Sequence, residues 1–153
     1  MGLSGQALFA FVRFWSRRWT GVGSGVDAQR GADVMVLEAV HALAGSGRPT
    51  SVNDVAREVG VDQSGASRMI ARVERLSLVT RRSTGRVGAA SSVTITAAGE
   101  ELLRQAHAWQ DEVARSLTAD WSEDEVRTFS TLMDRLVEAQ AALDAGTRPT
   151  ASR

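Results

Sequence analysis

The stretch from Thr50 to Gly99 constrains the fold more than any other. It holds two short helical patterns separated by a tight turn, then two β-rich runs around a glycine-rich tip. In the first pattern Asn53 stands where an N-cap is expected, with Asp54 favourable at a helix N-terminus. Val52, Val55, Ala56 and Val59 form its apolar face, and Gly60 ends it as a C-cap glycine does. Val61 is expected as a buried turn residue and Asp62 as the next N-cap.

The second pattern runs from Gln63 to about Leu76. At about 100° per residue, Ala66, Met69, Ile70 and Val73 share one side, while Ser64, Arg68, Ala71 and Arg75 share the other. Ser67 and Arg72 flank this second face. Gly65 costs the helix about 1 kcal/mol relative to Ala, which suggests a place of close approach. LVTRRS (78–83) and SSVTIT (91–96) read as paired strands, with Gly85 and Gly88 at the tip.

That order of elements describes a winged helix-turn-helix, which places one helix in the major groove of DNA. Arg68, Gln63, Ser64 and Ser67 are the candidate base readers, since Arg suits a guanine edge, Gln an adenine edge and Ser either. Arg72 and Arg75 lie further along and are expected at phosphates. Thr50, Ser51 and Asn53 at the start of the unit, and Arg82 and Arg86 on the wing, complete the candidate DNA-binding set.

The run from Ser51 to Gly99 resembles the MarR family of bacterial transcriptional regulators. The likeness rests on four blocks in order: Ser51-Val52-Asn53-Asp54-Val55-Ala56, Asp62-Gln63-Ser64-Gly65-Ala66-Ser67-Arg68, Ser77-Leu78-Val79, and Ile95-Thr96-Ala97-Ala98-Gly99. Helical patterns on both sides extend it over nearly the whole chain. The resemblance implies a mainly α fold with N- and C-terminal dimerisation helices and a two-stranded β-wing. It also implies a homodimer on a palindromic operator of double-stranded DNA, most often a repressor relieved by a small, often aromatic effector. The wing departs from the family. An Asp-x-Arg is expected near the tip, but Val87 and Ala89 occupy those positions, and Arg86 is the nearest Arg.

Charge is arranged to suit this reading. The net charge is zero, yet residues 48–99 hold eight Arg against four acids, +4, and residues 100–144 hold four Arg against eleven acids, −7. A local basic face is what meets phosphates. The chain contains no Cys, so disulfides, thiolate metal sites and thiol redox switches are excluded.

Outside the reading unit, Leu8, Phe11, Val12, Trp15 and Trp19 recur at helical spacing over 6–19, with Phe9 and Phe14 off that stripe. So many large apolar residues on a short helix suggest burial against a partner chain. Arginines interrupt this run well short of a membrane span and no charged segment precedes it, so a cytoplasmic protein is expected.

A helix from about Asp27 to Ala44 follows, with Val34, Leu37, Val40 and Ala44 inward and Met35 and Leu43 beside them. Thr96 is expected to cap a helix reaching about Leu117, with Leu102, Leu103, Ala106, Trp109 and Val113 on its stripe. Ser122 and Glu125 form a capping box for the last helix. That helix bears Phe129, Leu132, Met133 and Leu136, which join Leu8, Phe11 and Trp15 as the expected dimer contacts.

The expected organisation is support helices over 1–47, the reading unit over 48–99, dimerisation helices over 100–145 and a disordered tail over 146–153. Under the resemblance, Trp15, Trp19, Met35, His41 and Trp109 are the residues to line an effector cleft between the dimer helices and the reading unit. The same residues also suit a core or a subunit interface. His41 and His107 lack metal-spaced carboxylates, so no metal is expected, and no cofactor or catalytic constellation is legible. A second reading, motivated by the missing Asp-x-Arg, is a winged-helix module that contacts another protein and has lost or weak DNA binding.

Overall fold

The computed structural model describes residues 5–16, 28–45, 49–82 and 92–146. Six helices and a two-stranded sheet follow in the order α1 (Gly5–Ser16), α2 (Ala28–Ala44), α3 (Val52–Val59), α4 (Gln63–Arg75), β1 (Val79–Arg82), β2 (Ser92–Ile95), α5 (Ala97–Leu117) and α6 (Glu123–Gly146). The chain divides into two compact units, Met1–Gln110 and Asp111–Arg153, with the division inside α5. The fold is a winged helix with flanking helices, as the pattern of elements predicts.

The core of the first unit is aliphatic. Leu37, Val40, Val55, Ile70, Val73 and Val79 are all but fully buried, and Val36, Val93 and Leu103 join them. It therefore draws on α2, α3, α4, both strands and α5, so the support helix α2 and the reading helices share one interior. Of the expected α2 face, Val34, Leu37 and Val40 are buried, whereas Ala44 is exposed and Val36 and Ala39 are buried instead.

Local chemistry sets the helix ends. The N-cap of α3 is Ser51 rather than Asn53: its hydroxyl accepts from the N–H of Asp54 at 3.2 Å, and the Asp54 carboxylate accepts from the Ser51 N–H at 3.0 Å. This is a capping box with Asp in place of the longer acid. It outcompetes Asn53 because two orphan donors are satisfied reciprocally, which leaves Asn53 exposed inside the first turn.

Gly60 ends α3 at φ 77°, and the N–H of Val61 reaches the Ala56 carbonyl at 3.0 Å, a Schellman motif. Val61 itself is 39% exposed, so the expectation of a buried turn residue fails. The motif is closed by its backbone, and no burial of that side chain is needed.

Helix α4 ends the same way without a glycine. Leu78 N–H bonds the Val73 carbonyl, Ser77 N–H bonds the Glu74 carbonyl, both at 2.9 Å, and Ser77 takes φ 59°.

The strands pair antiparallel with Val79 opposite Ile95 and Arg82 opposite Ser92. Ser51 bridges to Ser92, and the Val93 N–H bonds the Thr50 carbonyl at 2.8 Å, tying the entry of α3 to the wing. Thr96 caps α5 as expected, accepting from Gly99 N–H at 3.1 Å while its hydroxyl donates to the Ser77 carbonyl at 2.6 Å. Gly99 is obligatory at this crossing: a Cβ there would lie 2.1 Å from the Leu78 carbonyl oxygen.

In the second unit, the Ser122–Glu125 capping box forms at the start of α6. Accepting the Ser122 N–H and hydroxyl holds the Glu125 carboxyl below its usual range.

Candidate nucleic-acid interface

Asp62 caps α4, accepting from the N–H of Gly65 at 2.5 Å and from the Ser64 hydroxyl at 2.9 Å. These bonds, with that to the Gly65 N–H foremost, lower its carboxyl below the ordinary value. A Cβ on Gly65 would stand 3.1 Å from the same carboxylate oxygen. The close approach expected at Gly65 is therefore met inside the chain, by its own cap. The carboxylate occupies the positive end of the helix, so this first turn is unsuited to a phosphate and better suited to neutral donors and acceptors on base edges.

Beyond the cap, Ala66, Ile70 and Val73 are buried. On the opposite side Ser64, Arg68 and Arg75 are exposed and Ala71 half-buried; Gln63 is exposed and Ser67 half-buried beside them. The amphipathic division expected from spacing holds, with Met69 only partly buried at its edge.

The structure sorts the arginines of the reading unit by what each already holds. Arg57 pairs with Asp54. Arg81 pairs with Glu74, Nε to Oε2 at 2.7 Å, and this bond lowers the Glu74 carboxyl. Arg72 makes a two-point contact with Asp33 of α2, Nε to Oδ1 at 2.8 Å and Nη2 to Oδ2 at 3.2 Å. Asp33 is only 4% exposed. Arg72, expected at phosphates, has its guanidinium held by a buried carboxylate that would otherwise stand uncompensated. Asp33, which braces α4 from α2, is not among the expected site residues. The signal was present, since an acid immediately before Val34 on an apolar helix face demands a partner.

Arg68, Arg75 and Arg82 are exposed and, among the described residues, make no ion pair. They are the cations available to an external anion. Thr50 is buried and serves the strand bridge through its carbonyl, Ser51 is committed to its cap, and Asn53 is exposed. Arg86, Val87 and Ala89 of the wing tip lie outside the described residues, as does Trp19.

Of the expected effector residues, Trp15 and Trp109 meet edge to face at 6.4 Å. Met35 is 40% exposed on α2. His41 is exposed and stacks edge-on at 6.3 Å with His107, whose Nε2 lies 3.0 Å from Glu38 Oε1. A cleft of 690 Å³ does reach His41, but neither tryptophan nor Met35 lines it. Among the described residues no group of acids and histidines is placed to hold a metal, and no helix is long and apolar enough to cross a membrane.

A winged helix-turn-helix with flanking helices on both sides is the architecture of the MarR-type transcription regulators, and the chain has that fold. Wild-type apo MarR from E. coli superposes with a TM-score of 0.65 at 18% identity, over 89% of this chain and 98% of that one. A MepR–DNA complex from S. aureus superposes with a TM-score of 0.56 at 14% identity, over 90% and 96%. A probable transcriptional regulator from Pseudomonas aeruginosa does so at 0.54 and 23% identity, over 86% and 93%. No protein-family model and no curated protein matches the sequence.

Proposed function

We propose that the protein is a DNA-binding transcription regulator that reads a palindromic operator as a homodimer, and that it acts as a repressor released by a small-molecule effector. The observation that carries the DNA reading is the outer face of α4, where Arg68 and Arg75 stand exposed beside Ser64 and make no ion pair among the described residues, on a helix fixed from behind by Ile70 and Val73. The MepR structure was determined with DNA on the same fold.

Pairing of two chains is supported by apolar surface on both terminal helices. Phe9, Phe11 and Phe14 are exposed on α1; Phe129, Leu132, Leu136 and Val137 are exposed on α6. Leu8, Trp15 and Met133 are half-buried in the single chain. Repression and release by an effector rest on the family resemblance.

The test is selection of bound sites from a random duplex pool, followed by titration of variants. Arg68→Ala is expected to cost about 1–3 kcal/mol on the selected site and to relax its sequence preference. Arg75→Ala is expected to weaken selected and random duplexes alike. Equal losses on both duplexes for both variants would refute the division into base reader and phosphate contact. Absence of any salt-sensitive duplex binding would favour a protein-interaction module.

A further inference from the structure

The turn into α4 carries an apolar spot on an otherwise polar face. Val61 is 39% exposed. Its Cβ and Cγ2 lie 3.6 and 3.8 Å from the place that a Cβ on Gly65 would take. Glycine at 65 therefore leaves a recess the size of a methyl group, with the valine as its wall. Gln63, Ser64 and Arg68 are exposed at neighbouring positions, and the Asp62 carboxylate borders the recess, 3.1 Å from the same place. The wall is rigid. The bond from the Val61 N–H to the Ala56 carbonyl, 3.0 Å, and the cap at Asp62 fix the backbone on either side, and valine is stiff at χ1.

We infer that this recess takes the C5-methyl of a pyrimidine in the major groove, so that Val61 and Gly65 read thymine beside the polar base readers. The inference rests on the proposed DNA reading and adds to it a contact that no hydrogen bond supplies. The C5-methyl is the apolar group that a base pair presents in the major groove, and thymine carries it. The missing Cβ admits a group of that size and nothing larger. A phosphate is unsuited to the place, because the Asp62 carboxylate beside it bears the same sign of charge. 5-Methylcytosine presents the same methyl as thymine.

The test uses the full chain and the duplex selected from a random pool, with deoxyuridine replacing each thymine in turn. Uracil differs from thymine only by the methyl, so the ratio of the two half-saturation points isolates it. At one thymine the ratio should be about threefold for replacement in one half-site and about tenfold for both. Val61→Ala draws the wall back, and Gly65→Ser covers it with a hydroxyl-bearing side chain; each should bring the ratio close to one. Both duplexes are titrated with the same protein, so loss of folded protein alone leaves the ratio unmoved. 5-Methylcytosine in place of that thymine should bind about threefold tighter than cytosine there.

A ratio of one at every thymine, with duplex still held, overturns the methyl contact and leaves the DNA reading standing. A ratio that persists in both variants assigns the methyl to another side chain and overturns the recess. Preference for thymine over uracil, with none for 5-methylcytosine over cytosine, overturns direct contact with the methyl. If no duplex is held at all, the inference falls together with the DNA reading.

Discussion

Replacing Arg72 with alanine separates a structural brace from a phosphate contact, because the two roles predict opposite readouts. In the structure its guanidinium grips Asp33 at 2.8 and 3.2 Å across the junction of α2 and α4. The carboxylate is 6% exposed and the arginine side chain 36%. Removing one partner of a fully buried pair costs about 3–5 kcal/mol, because the other charge is stranded. The exposed half of Arg72 is screened by water, which brings the expected loss to about 2–3 kcal/mol.

With a urea m-value of about 2 kcal/mol/M for a chain of this size, the unfolding midpoint should fall by about 1–1.5 M at fixed protein concentration. Asp33→Ala strands a half-exposed arginine and should cost less. The double variant should cost less than the sum of the two, which exposes their coupling. The slope of log affinity against log salt should be unchanged in Arg72→Ala. A variant of wild-type stability whose salt slope drops by about one contact would refute the brace and return Arg72 to the phosphates.

Gly99→Ala should destabilise the chain by about 3 kcal/mol or more in the same urea assay, since its Cβ would overlap the Leu78 carbonyl and the Ile95 side chain; a loss under about 1 kcal/mol would show that this crossing yields easily. Ser77→Gly should gain about 0.5–1 kcal/mol, the left-handed penalty at φ 59° exceeding the extra chain entropy of glycine, and a destabilised variant would mean that the serine side chain contributes there. The stability gap between wild type and Asp62→Ala should depend on acid: because the folded carboxyl is lowered by the Gly65 N–H and the Ser64 hydroxyl, its contribution is complete above the unfolded value near 3.8 and fades as pH falls through the folded one. A gap that stayed constant from neutral pH down to about pH 2, below the ordinary Asp range, would remove the charge from the cap.

What the sequence determined by itself is local. Gly60, Asp62, Thr96 and the Ser122–Glu125 box announce helix ends because capping uses side chains within a few residues of the backbone groups they satisfy. The apolar face of α4 is legible for the same reason, since spacing alone places Ala66, Ile70 and Val73 together. Even locally, choice between neighbours failed: Ser51 and Asn53 are both good caps, and only the reciprocal bond with Asp54 decides.

Tertiary structure settled what long-range pairing requires. Arg72 and Asp33 stand 39 residues apart, and nothing in either neighbourhood names the other. Among the described arginines of the reading unit, Arg57, Arg72 and Arg81 are held by carboxylates while Arg68, Arg75 and Arg82 make no ion pair, a division that the sequence presents as one undifferentiated basic run. Gly99 reads as a helix residue in sequence, and only the Leu78 carbonyl, brought against it by the Schellman turn and the strand register, makes its missing Cβ a necessity.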